Sequence, residues 1–294
     1  MKHQLLLFTV LLFMSIKISA QGDDLLSLLG NEEVTEYTNA SFKTNRVINL
    51  HSLESTAAGV LDFKIGHRFG PINGGAYELF GLDNATIRLG FDYGISDKLT
   101  IGIGRSNFEK TYDGFLKYKL IRQSTGKKKM PLTVAMLMTT AIQTLKWQNP
   151  DRVNYFSSRL YYTGQLIIGR KFSETFSLQL CPTIVHRNLV ATNAEKNDVY
   201  ALGAGGRIKL TKRLTLNAEY IYVAPNQLAA QYKNSLSVGV DIETGGHVFQ
   251  LHLTNSRSMI EKGFIAETNE GWSNGGIHFG FNVSRVFTVK SRKI

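Results

Sequence analysis

Three sets of residues in this 294-residue chain have the types and spacing that chemistry needs. The first is glycine: "IGIGRSNF" (101–108) and "GAGGR" (203–207) alternate glycine with apolar residues, as a phosphate-cradling loop can. A dinucleotide loop requires G-x-G-x-x-G passing from a strand into a helix. Counting on from Gly102 and Gly104, the third position is Asn107, and no helical pattern follows. "TGKKK" (125–129) lacks both the upstream glycine and the Ser/Thr of a P-loop. The second set is His51, His67, His186, His247, His252 and His278, which contain no H-E-x-x-H or comparable ligand spacing. The lone Cys181 excludes an internal disulfide framework and any multi-thiolate metal site. No metal or cofactor is therefore expected. The third set is Ser106, Ser157 and Ser158 with His67 and His186. A membrane-embedded lipid hydrolase would need one such serine beside one such histidine, and nothing in the spacing pairs them. The expectation is a non-enzymatic protein, with the hydrolase as its weakest alternative.

The elements that must position these residues are strands. A basic start, the apolar run 5–16 and "KISA" ending at Ala20 describe a secretory signal peptide over 1–20. The run is shorter than the roughly 20 residues a spanning helix needs. Removing Lys2 and Lys17 takes the formal charge from +11 to +9. The one dense cluster, Lys127 to Lys129, sits between Gly126 and Pro131 as a turn. With no basic stripe and an exported chain, nucleic acid is not an expected partner.

Beyond the signal peptide apolar residues recur with period two. Ala85, Ile87, Leu89, Phe91 and Tyr93 oppose Thr86, Arg88, Gly90, Asp92 and Gly94, and one earlier run (61–66) and four later ones repeat the split. Side chains on a strand point alternately to opposite faces. Many runs reach the 9–11 residues of a spanning strand, aromatics gather near run ends, and tight and long connections alternate. The pattern predicts a closed antiparallel transmembrane β-barrel in an all-β chain. Strands are expected near 58–69, 85–95, 98–107, 111–122, 131–142 and 158–170. Six more fall near 174–187, 198–210, 213–223, 235–243, 247–256 and 276–287, making about 12 where 10–14 would satisfy the pattern. A strand-like run at 42–50 would make thirteen and break the even count, so 21–56 is read as an N-terminal periplasmic segment or lumen plug. Within it, "DDLLSLLGNEE" (23–33) could form a short helix with acidic residues at its start. Residues 57–294 are then the barrel.

The face opposite the apolar one turns inward. It carries Asp62, Lys64, Arg68, Arg88, Asp92 and Arg159 in the first half of the chain. Arg207, Glu219, Asp241, Glu243, His252 and His278 carry the same parity in the second half. Asp113 and Lys117 follow less regularly because Phe115 interrupts the alternation. An open pore would leave these charges solvated, with a slight bias toward anions. A closed barrel would tie them into ion pairs across a narrow interior.

Long segments, among them "LDFKIGHRFGPINGGAYELFGLDNATIRLGFDYGISDKLTIGIGRS", "YDGFLKYKLIRQ", "NYFSSRLYY", "SVGVDIETGGHVFQLHLTNS" and "HFGFNVSRVF", resemble an uncharacterised family of Gram-negative outer-membrane β-barrels catalogued as a domain of unknown function. The resemblance runs from about residue 42 to 287. It implies export by a cleaved signal peptide, an outer-membrane location and no assigned activity. "HFGFNVSRVF" also resembles the aromatic-ended last strand that barrel-assembly machinery reads, although a basic tail (288–294) follows it. Expected partners are outer-membrane lipid, that machinery, and a periplasmic partner of unknown kind. The expected function is a pore or transport barrel for small solutes. The alternative is a closed barrel that docks a periplasmic or surface partner.

Overall fold

Period-two runs with one apolar face can bury that face only against another layer or against lipid, and here they close on themselves. The computed structural model describes residues 34–290; the signal peptide and the 23–33 helix lie outside the described residues. Twelve antiparallel strands form one closed barrel. They are β1 (Val60–Pro71), β2 (Ala85–Gly94), β3 (Leu99–Ser106), β4 (Thr111–Ile121), β5 (Thr133–Gln143) and β6 (Leu160–Lys171). The second half comprises β7 (Phe176–Arg187), β8 (Asp198–Lys209), β9 (Leu214–Val223), β10 (Ser235–Thr244), β11 (His247–Thr254) and β12 (His278–Thr288). Every strand pairs with its neighbours in sequence, and β12 pairs with β1 to seal the ring, with one register shift between His278 and Gly280. Closure leaves no unpaired strand edge in the wall.

The connections fall at two ends. Five lie at the turn end with both chain ends of the barrel: four of at most four residues, such as 245–246 between β10 and β11, and one of eleven, 122–132 between β4 and β5. Of the six at the loop end, all but 107–110 between β3 and β4 have ten residues or more. Large apolar side chains, including Leu89, Ile103, Leu166, Leu180, Leu202 and Leu251, stand exposed on the outer face. Tyr112, Tyr162, Tyr200 and Tyr222 ring that face near the loop end; Tyr118, Phe176, Phe249 and Phe287 ring it near the turn end. An apolar band between two aromatic girdles is the outer surface a bilayer requires. Among the described residues no helix is long and apolar enough to cross a membrane.

The core sits inside the barrel. Inward residues of β4 to β9 (Phe115, Leu137, Ile167, Cys181, Val185, Val199 and Ile221) are buried there with apolar residues that belong to no strand of the wall. Outside the barrel, Glu36–Tyr37 and Ser124–Thr125 form a two-stranded ribbon at the turn end. The expected run at 42–50 is not a strand; it is part of what fills the lumen.

Candidate functional site

Two segments of the chain occupy the lumen, one from each end. The first is a strap, residues 40–56, which enters at the turn end, reverses and leaves by the same end. Its feet are tied where the Ser41 and Phe42 amides donate to Glu54 Oε1 at 2.7 and 3.3 Å. Its reversal is a tight hairpin: Val47 N–H reaches Leu50 O at 2.7 Å, and Ser52 N–H reaches Asn45 O at 2.9 Å. Apolar residues recur there every third position, at Val47, Leu50 and Leu53, and all three are buried against the apolar half of the wall. A Cβ at Gly203 would lie 3.0 Å from Leu50 Cδ1, so this glycine of "GAGGR" makes room for the strap.

The polar half of the wall takes the strap's backbone. Glu219 on β9 accepts the amides of Ile48 (3.2 Å), Asn49 (2.9 Å) and Leu50 (3.0 Å) at the tip of the hairpin. A carboxylate that receives several backbone N–H groups makes strong, charge-assisted bonds. Around it, Arg68 donates to Asn49 Oδ1 at 2.8 Å, and Asn49 Nδ2 donates to Ser237 Oγ at 3.1 Å. Gln250 donates to Val47 O at 2.5 Å and Asn282 to Ile48 O at 3.1 Å. Lower down, Arg207 donates to Ala40 O (2.7 Å) and Ser41 O (3.0 Å), and Lys117 Nζ to Ser52 O (3.1 Å) and Glu54 O. Buried basic groups of the wall thus grip carbonyls of the strap.

The second segment descends from the loop end. After Thr254 the chain does not loop outward as expected; Met259 and Ile260 turn in, and α1 (Glu261–Ala266) lies wholly buried. Lys262 pins it to the wall. Its Nζ lies 2.6 Å from Glu109 Oε2 in the β3–β4 connection, 2.7 Å from Glu267 Oε2, and 4.4 Å from the centre of the Tyr161 ring. Burial opposes charge on Lys262, but Glu267 and Glu109 outweigh it and hold its pKa above the ordinary lysine value. Burial lifts the Glu267 carboxyl, with Lys262 pulling the other way.

Strap and α1 meet in mid-lumen. Arg46 Nη1 donates to Glu261 Oε1 at 2.8 Å, and His51 Nε2 lies 3.4 Å from the same oxygen. The His51 ring stands edge-on to Phe115 at 4.5 Å. Burial drives the His51 pKa well below 6.5, reinforced by the positive charges of Arg46, Lys117 and Lys64 and opposed by Asp92. His51 is seated neutral.

The residues singled out in the sequence are distributed as follows. Lys64 bridges Asp92 (2.6 Å) and Asp62 (3.4 Å), and Ser284 donates to Asp62 at 2.5 Å. Arg88 forms a two-point bond with Asp113, its Nε at 2.8 Å from Oδ1. Asp241 accepts from Gln250 at 2.7 Å; Glu243, at the turn-end mouth, pairs with Lys43 of the strap. His278 Nδ1 is 2.8 Å from Phe69 O, whereas the ring nitrogens of His252 have no hydrogen-bond partner. Arg159 departs from expectation. β6 begins at Leu160, so Arg159 ends a 3₁₀ turn outside the wall, where it lies over Trp147 at 3.7 Å and donates to Gln143 O. The glycines of "IGIGR" border close contacts: a Cβ would stand 2.2 Å from the Phe115 ring at Gly102 and 2.3 Å from Arg88 at Gly104. Phe115 interrupts its strand's polar inner face because it completes the lumen core. Among the described residues no group of three metal-ligating side chains occurs, and no serine hydroxyl bonds to His67 or His186. Arg46, Asn49, Glu261 and Lys262 were not singled out, because they lie outside the strands whose parity marked the inner face.

The space that remains is divided. A cavity of about 50 Å³ separates the strap from β1 and β12, lined by Arg46, Asn49, Lys64, Arg68 and Asn282. A vestibule of about 520 Å³ at the turn end is bordered by Lys43, Glu54, Asp62 and Glu243. The first is room for a few waters.

Comparison with known proteins follows from this architecture. The family described as "Membrane bound beta barrel domain (DUF5777)" matches residues 42–287, which includes the strap from Phe42 onward. No curated protein matches the chain significantly. Among solved structures, the NanC porin is similar at a TM-score of 0.48 and 9% identity, covering 78% of this chain and 98% of its own. An outer membrane channel from Pseudomonas putida F1 is similar at 0.45 and 14%, covering 80% and 98%. The translocator domain of the autotransporter NalP from Neisseria meningitidis is similar at 0.35 and 12%, covering 80% and 91%.

Proposed function

The chain belongs to the family of membrane bound beta barrel domains (DUF5777), and on that footing we propose that it is an outer-membrane channel for small polar solutes, held shut by its own strap. The observation that carries this reading is the course of the strap, which enters and leaves the lumen at the turn end and touches α1 through Arg46 and Glu261. Neither segment threads the barrel, so each can withdraw the way it came without breaking the wall. The seal is also the kind that can come apart. The ion pairs of the seal, Arg46 with Glu261 and Lys43 with Glu243, are of a kind that adds little net stability over the same charges in water. Turn end and loop end are then periplasmic and external respectively, the arrangement of short turns and long loops in such barrels. The reading is a non-enzymatic one.

The experiment is conductance in planar bilayers. The full chain should open rarely, and a variant lacking 34–56 should conduct steadily once heat-dependent gel mobility shows it folded. A folded deletion variant as silent as the full chain would overturn the channel. It would favour the second reading, a closed barrel that docks a periplasmic partner, which the apolar packing of the Val47, Leu50 and Leu53 side chains inside the lumen also suits.

A further inference from the structure

Gly66 is the centre of a cross of polar side chains on the inner face of the wall. Along β1 it lies between Lys64 and Arg68, which share its parity. Across the sheet it pairs with Arg88 of β2 and Asn282 of β12. The glycine leaves a hollow there, because a Cβ would stand 2.8 Å from Met259 Sδ and 3.3 Å from Asn282 Oδ1. From the strap, Arg46 and Asn49 cover the hollow, and what they enclose is the cavity of about 50 Å³. Arg46, Lys64, Arg68 and Arg88 line it, and among the described residues no carboxylate does.

Arg46 has its counter-charge in Glu261, Lys64 in Asp92 and Asp62, and Arg88 in Asp113. Arg68 bonds to no carboxylate. It is 1% exposed, and its hydrogen bonds run to neutral groups: the His67 carbonyl and the side-chain oxygens of Asn282 and Asn49. Glu219 is one residue removed, since the Asn49 amide donates to Glu219 while the Asn49 Oδ1 accepts from Arg68. The Arg68 Nε–H has no partner. Arginine is almost never fully buried unless paired, because a lone ion forfeits its hydration uncompensated. Further donors stand by. Both Arg46 bonds leave from Nη1, and Lys64 directs its ammonium, which carries three N–H groups, at two carboxylates.

We propose that this cavity binds one small monovalent inorganic anion, of the halide class, as the counter-ion of Arg68. Size and charge select the occupant. The volume suits a monatomic ion or a few waters and falls far below the roughly 300 Å³ at which pockets for organic ligands begin. A doubly charged oxyanion would overcompensate the single unmatched cation. Arg68 and Lys64 belong to the wall, Arg46 and Asn49 to the strap, so the ion fastens the hairpin to β1. The site needs only a seated strap and stands whether or not the barrel conducts.

The test uses bromide on the full-length protein, purified in detergent and held at constant ionic strength. Crystals grown in bromide should show an anomalous peak inside the cavity. Amide exchange at Ile48, Asn49 and Leu50 should slow about ten-fold when bromide, at about ten times its dissociation constant, replaces the bulkier gluconate. Arg68→Gln removes the unmatched charge and keeps a donor for Asn49, so the peak and the exchange response should both vanish. Gly66→Val fills the hollow with every charge kept, and should abolish both as well. Arg207→Gln, which loosens the strap at its feet and does not line the cavity, should retain both. Heat-dependent gel mobility verifies that each variant is folded. Peaks confined to the surface (an adventitious ion only), exchange indifferent to bromide, or a response that survives Arg68→Gln or Gly66→Val would each overturn the proposal.

Discussion

Glu219 concentrates the strap's attachment in one side chain. Its two oxygens serve three consecutive amides at the hairpin tip, and no single replacement offers the same acceptors. Bonds to a charged acceptor contribute about 1.5–3 kcal/mol each. Glu219→Gln keeps the size but loses the charge and sets a donor against a donor. Amide hydrogen exchange at Ile48, Asn49 and Leu50 should accelerate at least about ten-fold, while exchange in the β9–β10 ladder stays slow. Unchanged exchange at the tip would mean that the apolar contacts of Val47 and Leu50 alone seat the strap. At this scale the sequence was half legible. Period two indicates which strand positions share a face with Glu219, but a hairpin that crosses the lumen leaves no mark on β9, so its three amides could not be foreseen. The spacing 47, 50, 53 was the available signal, because a repeat of three suits neither face of a strand.

The two lumen segments respond to acid with opposite sign. His51 in the strap has a lowered pKa when seated. Its contribution to closure is complete above about 6.5 and declines as pH falls below that value, by about 1.4 kcal/mol per unit until the seated ring itself takes a proton. The charged groups around it are Arg46 of the strap itself and, on other elements, Lys64, Lys117, Asp92 and Glu261. Glu267 beside α1 has a raised pKa, so the closed form takes its proton more readily than a released one would, and acid does not loosen that seat through this group. The Lys262 contribution, with its pKa raised, is intact far below 10.5. Acidification should therefore release the strap and leave α1 in place. On the channel reading, open probability should climb as pH drops from 6.5 toward 5, and His51→Gln should show a flat profile over that interval. An equally steep rise in His51→Gln would assign the response to another group. The inward course of 255–266 was not legible in sequence. A six-residue helix is too short to announce itself, and Met259, Ile260, Phe264 and Ile265 are as consistent with a surface loop's contacts as with a lumen's.

At the scale of the molecule, the wall was legible almost entirely. All twelve strands lie within about two residues of their expected bounds, because a barrel imposes the same period on every strand and lipid enforces the apolar face. That enforcement can be measured. Leu251 stands on the outer face in mid-strand, and Leu251→Arg should cost roughly 2–4 kcal/mol of folding into bilayers. The same change at Tyr77, on the exposed loop-end connection, should cost almost nothing. Equal costs would show that residue 251 does not face hydrocarbon. What fills the wall was less legible, since it is specified by contacts between residues far apart in sequence. The strap's two feet at one rim have a last consequence, for the order of assembly. β12 must find β1 before the cylinder exists, and a segment pinned across the cylinder from rim to rim would have to be in place before that seam formed. A hairpin with both feet together carries no such obligation: the seam can form around water, and the strap can fold in afterwards as the final step of maturation.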